Sequence, residues 1–171
     1  MREACVRYAE RSSRVQEKGW DVAAVASRLA PVLGERIETF GDVTALFNDG
    51  EYDFVFEAPA LDDPQLLVWK KVAEAHDAPE ARRITKEYLA RVRELLETGD
   101  LTDADSAAIK ERVWPYADEV GRGDVLWPMR VALSGRERSR DPFEVAALVG
   151  ADEAVRRLAF AESRLADASS Q

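Results

Sequence analysis

Apolar residues recur at spacings of three and four along nearly the whole chain, while sustained alternation of apolar and polar residues shows only weakly, around Tyr52 to Phe56. That pattern predicts an all-α protein, and helix punctuation agrees with it. Asp21 should cap a helix from Val22 to Leu33 that Gly34 stops, because a short side-chain oxygen there accepts from first-turn amides that lack a carbonyl partner. Asp42 should cap a short helix from Val43 to Phe47, ended by Asn48, Asp49 and Gly50, with residues 48–62 the main irregular stretch. Asp63 and Pro64 supply an N-cap and a first-turn proline for a helix that turns Leu66, Leu67, Trp69, Val72 and Ala73 inward and closes near His76. A long amphipathic helix follows from Ala78 to Glu97, with Ile84, Tyr88, Leu89, Val92, Leu95 and Leu96 on one stripe. Thr102, with Asp105 three residues on, predicts a capping pair for a helix reaching Val120, with Pro115 disturbing its middle or end.

Composition sets outer limits. A chain of 171 residues with 46% hydrophobic content can bury a core, as one ordinary domain or two small helical ones. Its 24 Lys plus Arg against 33 Asp plus Glu give a formal net charge of -9, which argues against general affinity for phosphate backbones, since such binding needs cations to displace condensed counterions. A nucleic-acid site must then be local. Cys5 is the lone cysteine and cannot close an internal disulfide, and His76 has no cysteine or histidine at ligand spacing for zinc. A reducing cytoplasm fits. Apolar runs such as Val22 to Ala26 fall far short of the roughly 20 residues that cross a bilayer, and no basic, apolar, small-residue leader opens the chain, so a soluble, unexported protein is expected. A boundary is expected near residues 73 to 80, where Pro79 starts a new helix, separating a subdomain of residues 20–76 from one of 77–166. Residues 1–19 are read as an unplaced helical extension and 167–171 as a frayed tail.

The chain offers no Gly-rich phosphate cradle, no Ser/His/Asp set and no metal-ligand cluster, so no catalytic residue and no cofactor is expected within it. The acidic pairs Asp62/Asp63 and Asp103/Asp105 stand at predicted helix starts, where carboxylates favour the positive dipole end. A sharper signal is the stretch from Leu126 to Val145, which places Arg130, Arg136, Arg138 and Arg140 in a hinge between helices of an otherwise acidic chain. Guanidinium groups bond phosphates or purine edges bidentately and stack on unpaired bases. Pro128 should start a short helix from Met129 to Leu133 that Gly135 ends, leaving Arg136, Arg138 and Arg140 on an exposed turn. Residue type alone leaves two readings open, an RNA contact or a solvated surface with Arg130 in a helix-end ion pair. Trp20, Trp69, Trp114 and Trp127 are equally open to base stacking, but their helical contexts favour the core.

The ordered series from Pro128 to Gly150, the following GADEAVRRLAFAESRL, and the segment APVLGERIETFGDVTALF at residues 30–47 resemble the C-terminal anticodon-binding region of bacterial-type glutamyl-tRNA synthetases. The resemblance spans residues 20–166, strongest from Leu126 onward and reduced to helical character between 78 and 120. It implies two packed helical subdomains forming a cage around the anticodon. It also implies that Arg130, before Val-Ala-Leu-Ser-Gly, contacts anticodon bases and that Arg36 reads the first of them. Ser139 takes the place of a small hydroxyl residue that joins base recognition, although Arg140 follows it where the family often has proline. Arg140 is counted with that set, and Pro142 falls where a proline or leucine packs near the bases. Arg136 and Arg138, with Arg140, would attract phosphate, while Phe143 anchors a helix start and Lys70 and Lys71 match a lysine-rich position.

No counterpart of the class I catalytic domain, with its HIGH-like and KMSKS-like motifs, occurs in the chain. The expectation is therefore a C-terminal piece of a glutamate-tRNA ligase, either a fragment starting at an added Met1 or a separate gene product, unable to aminoacylate alone. ATP and Mg²⁺ would act in the absent catalytic domain. The implied partners are the anticodon arm of glutamate tRNA and that catalytic domain, with the chain itself a monomer. Whether the parent also charges glutamine tRNA stays open. The alternative function is a helical protein-interaction module that docks an acidic partner through its arginine-rich turn.

Overall fold

The computed structural model describes residues 2–101 and 104–168, and among them are eleven α-helices, one 3-10 turn and no strand. The helices are α1 (Arg2–Ala9), α2 (Ser13–Lys18), α3 (Val22–Gly34), α4 (Phe40–Asn48), α5 (Asp53–Phe56), α6 (Lys70–Ala75), α7 (Ala78–Glu97), α8 (Ser106–Val120), α9 (Arg122–Ser134), α10 (Pro142–Val149) and α11 (Ala151–Asp167), with the 3-10 turn at Pro64–Leu67. They form two compact units, Met1–Glu57 and Ala58–Gln171.

In the first unit α1 packs on α3 and α4, and α2 packs on α4. Residues 1–19, unplaced by sequence, thus supply Cys5, Ala9 and Val15 to a core shared with Leu29, Leu33, Val43 and Phe47. Asp21 caps α3 as expected, accepting from Ala24 N at 3.2 Å. The next helix begins earlier than expected. Thr39 is its N-cap, and Asp42 sits three residues inside, its carboxylate accepting from Thr39 N at 2.8 Å and Glu38 N at 3.0 Å. Those bonds, Thr39 first, hold the Asp42 carboxyl below its ordinary value. The weak alternation at Tyr52 to Phe56 becomes the single turn α5, not a strand.

In the second unit α7 and α11 form the most extensive helix pair, and α9 packs on α7, α8, α10, α11 and the 3-10 turn. Asp77 caps α7 through Glu80 N at 2.9 Å, and the buried stripe is Ala81, Thr85, Leu89, Val92 and Leu96. Asp105, not Thr102, caps α8, accepting from Ala108 N at 2.9 Å; Thr102 and Asp103 lie outside the described residues. The expected continuous helix from Asp63 to His76 is instead a 3-10 turn, an extended Val68 and Trp69, and then α6. Three residues per turn followed by a break shifts the helical phase, so Leu67 and Val72 are buried while Leu66 and Ala73 face outward.

Pro128 does not start a helix. It lies inside α9, which begins at Arg122. A mid-helix proline forfeits one backbone bond, but Val125, Met129, Val131, Ala132 and Leu133 around it are fully buried, and that burial outweighs the loss. Pro115 is likewise accommodated inside α8. The division at Glu57/Ala58 also precedes the expected boundary at 73–80, because the 3-10 turn packs on α9 and α11, and α6 on α7. Arg164 strengthens this assignment by donating to the Leu61 carbonyl at 3.1 Å.

Candidate nucleic-acid interface

The arginine hinge is a seven-residue link between α9 and α10, from Gly135 to Asp141, and both of its ends are fixed by hydrogen bonds. Gly135 closes α9 in the left-handed region (φ 71°), with its amide on the Val131 carbonyl at 2.8 Å. The Ser134 hydroxyl donates to the Arg130 carbonyl at 2.8 Å and accepts from Arg136 N at 3.2 Å. At the other end Asp141 caps α10, accepting from Phe143 N at 2.9 Å. Arg157 of α11 reaches across to the Leu133 carbonyl at 2.7 Å while bonding Glu153 at 2.8 Å. Composition does not mark Arg157 as a buried structural arginine; the only sequence signal for it is the spacing of Glu153 and Arg157 by four, which suits an ion pair.

The hinge arginines differ sharply in availability. Arg130 lies in the last turn of α9, half-buried, with its Nε buried and without a hydrogen-bond partner, and no acidic side chain pairs with it among the described residues. The helix-end ion pair considered for it is therefore not observed. Arg138 is exposed and likewise carries no ion pair among the described residues, and Arg136 is exposed beside it. Arg140 is different: it bonds Glu144 at 2.8 Å, and its side chain is only 14% exposed. Ser139 turns its hydroxyl to the Arg140 carbonyl at 3.0 Å.

Pro142, expected near the bases, is buried as the first residue of α10. It can shape the hinge, but it is not an exposed contact. Phe143 is buried at 2% exposure, in keeping with an anchoring role. Arg36 belongs to the first unit, just past the end of α3, where its amide bonds the Leu33 carbonyl at 3.0 Å. Its guanidinium pairs with Glu51, and hydrogen bonds to Glu51 and then Tyr52 hold it above its ordinary value. A ligand would have to compete with that carboxylate.

The tryptophans correct a second expectation, for all four are only half-buried. Trp20 stacks on Phe56 with centroids 4.7 Å apart and planes within 6°. Trp69 and Trp127 meet at 4.8 Å, with the Trp127 indole donating to the Leu66 carbonyl at 2.9 Å. Trp114 lies edge-on to Phe143 at 6.2 Å. A wide ring covers a core with one face and meets water with the other, which spacing alone does not reveal. Lys70 and Lys71 are exposed on α6. Asp63 and Asp105 serve as helix caps, and among the described residues no three His, Cys, Asp or Glu side chains are placed to hold a metal ion. No helix of the described residues is long and apolar enough to cross a membrane.

Comparison with known proteins gives this geometry a context. The family model of the anticodon binding domain matches residues 6–162. The chain is 29% identical over 159 residues to the glutamate--tRNA ligase of Flavobacterium johnsoniae, covering 90% of this chain and 28% of that one. It is 33% identical over 141 residues to the glutamate--tRNA ligase of Rhodopseudomonas palustris, covering 81% and 26%. The chain therefore spans little more than a quarter of these relatives' length. Among solved structures, a glutamate tRNA ligase from Elizabethkingia meningosepticum superposes with a TM-score of 0.65 at 23% identity, over 96% of this chain and 29% of that one. The glutamate-tRNA synthetase of Elizabethkingia anophelis gives 0.61 at 21% identity, over 95% and 28%. These two likenesses concern the fold. With the family model matched over nearly its whole length, the chain belongs to the anticodon binding domain family.

Proposed function

We propose that the chain selects glutamate tRNA by its anticodon on behalf of a glutamate-tRNA ligase. The observation that carries this reading is Arg130, a half-buried guanidinium with an unpaired Nε and no acidic partner among the described residues, held at the mouth of a fixed hinge. Burying part of a charged group without a partner costs stability, and a base edge or phosphate would supply the missing acceptor. Arg138 and Arg136 on the exposed turn add attraction for phosphate. Arg36 contributes a second base contact, exchanging Glu51 for RNA. Ser139 and Arg140 line the end of the hinge, Arg140 after release from Glu144. Discrimination of roughly 1–3 kcal/mol per good bidentate contact is the scale expected of such readout.

On this reading ATP and Mg²⁺ are bound by the catalytic part of the parent enzyme, and this chain supplies selection only, as a cytoplasmic monomer. The test is fluorescence anisotropy with anticodon stem-loops in which single anticodon bases are changed, using the wild type, Arg130→Ala and Arg36→Ala. Affinity should fall with a base change in the wild type, and each variant should become indifferent to one base. Equal affinity for every anticodon would overturn the reading. No RNA binding at moderate salt would leave an acidic protein partner as the ligand of the hinge.

A further inference from the structure

Most exposed arginines of the second unit are neutralised by neighbouring acids, as Arg83 is by Glu80, Arg91 by Glu94 and Arg156 by Glu153. The lysines depart from that pattern, and two of them also meet an aromatic ring. Lys70 and Lys110 carry no ion pair among the described residues, and each instead faces an indole, Lys70 at 5.4 Å from the Trp69 centroid and Lys110 at 4.7 Å from that of Trp114. Arg122, the first residue of α9, lies over the same Trp114 ring at 4.7 Å while sharing Asp118 at 2.6 Å. The next residue, Gly123, approaches Trp69 so closely that an added Cβ would stand 2.6 Å from its Nε1. The first turn of α9 therefore joins the two tryptophans into one band that carries Lys70 and Lys110 without an acidic partner among the described residues and Arg122, whose charge Asp118 shares.

The band adjoins the hinge at both ends. Trp114 meets Phe143, in the first turn after the hinge. Trp69 and Lys70 line an open cleft of about 390 Å³ that they share with Trp127 and with Glu137 of the hinge itself. We infer that Lys70, Lys110 and Arg122, held in place by Trp69 and Trp114, bind the ribose-phosphate backbone of the RNA strand flanking the nucleotides that Arg130 reads. Cations stacked on rings lose little further freedom when a phosphate arrives, and a positive track with aromatic neighbours is how proteins follow a single strand without reading its sequence. The inference deepens the anticodon reading and rests on RNA being the ligand.

The two ideas separate in one experiment. Anticodon stem-loops with the original and an altered anticodon are titrated at several salt concentrations into the full chain, into Lys70→Ala/Lys110→Ala/Arg122→Ala, and into Arg130→Ala, with circular dichroism verifying the fold of each. The triple variant should weaken binding about tenfold at low salt for both anticodons alike, and should reduce the slope of log K against log salt by about 2, at roughly 0.7 per single-strand phosphate contact. An unchanged affinity and slope would overturn the band even if Arg130→Ala abolishes base discrimination. If the wild type binds both anticodons equally while the triple variant still weakens both, the band stands and anticodon reading falls. Absence of RNA binding by the wild type overturns both.

Discussion

Arg157 and Arg130 lie at neighbouring points of the same helix junction in opposite physical states, and substitution should move stability in opposite directions. Arg157 is 3% exposed, yet Glu153 and the Leu133 carbonyl satisfy it. Arg157→Met removes the charge from Glu153 and leaves a buried carbonyl without its donor, at an expected cost of about 2–3 kcal/mol in urea unfolding. Arg130→Met removes a buried donor that has no partner. It should leave stability unchanged or raise it by about 1 kcal/mol in the same assay while base discrimination is lost, the trade expected where a group is kept for its ligand. Glu153 adds a pH dependence. Burial pushes its carboxyl up, but the bonds from Arg157 and Arg156 outweigh this and hold it below its ordinary value. A depressed folded value means that its contribution is present above the unfolded carboxylate range of about 4.3 and fades as pH falls through the folded value. The stability gap between wild type and Glu153→Gln should therefore be widest near neutrality and close in acid. A gap that widens on acidification would refute this assignment.

Among the elements, α9 matters most to the hinge, and its C-terminus rests on Gly135. The φ of 71° disfavours any side chain, and a Cβ there would also meet Pro59 Cβ at 2.7 Å. Gly135→Ala is expected to cost about 2–3 kcal/mol from backbone strain and the clash together. At roughly 2–4 °C per kcal/mol this is a readily measured fall in thermal midpoint. Helix α9 also shows where sequence patterns stop being informative. Ala78–Glu97 was legible to the residue because Asp77, Pro79 and a sustained stripe agree, and a cap is a local bond between neighbours. Helix α9 was not, because Pro128 resembles a starter and only the burial of Val125, Met129 and Val131 to Leu133 around it permits it inside. Arg36, Arg130 and the hinge arginines could be named from sequence as candidates. Which of them are neutralised was legible only in part: Glu144 stands four residues from Arg140, the spacing of a local ion pair, whereas Glu51 lies fifteen residues from Arg36 and no local pattern shows that Arg130 is left without an acid. The two tryptophans of the band are separated by a long stretch of chain, and only the packing of α9 against Trp69 and Trp114 brings them together.

For the whole molecule, a formal charge of -9 means that any RNA affinity must come from local geometry, and the candidate contacts are distributed over two units. Met1–Glu57 carries Arg36, whereas Ala58–Gln171 carries Arg130, the hinge and the band. Each has its own core, centred on Leu29, Leu33 and Phe47 in the first and on Leu89, Met129 and Leu158 in the second. A unit of under 60 residues buries only about 60% of the surface its unfolded chain exposes and is marginal alone, while one of over 100 residues is well within the range of independent domains. Residues 58–171 expressed separately should therefore melt cooperatively by circular dichroism, and residues 1–57 should show a shallow transition or none. The function should divide along the same line. If Arg36 and Arg130 read different bases, the 58–171 fragment should still distinguish the anticodon position that Arg130→Ala makes indifferent in the full chain, and should no longer distinguish the position lost in Arg36→Ala. Its affinity should fall, but its salt slope should stay close to that of the full chain, since the band and the exposed hinge arginines remain. A folded 58–171 fragment that distinguishes no base would mean that Arg130 reads RNA only when the first unit also holds it, and the assignment of one arginine to one base would have to be abandoned.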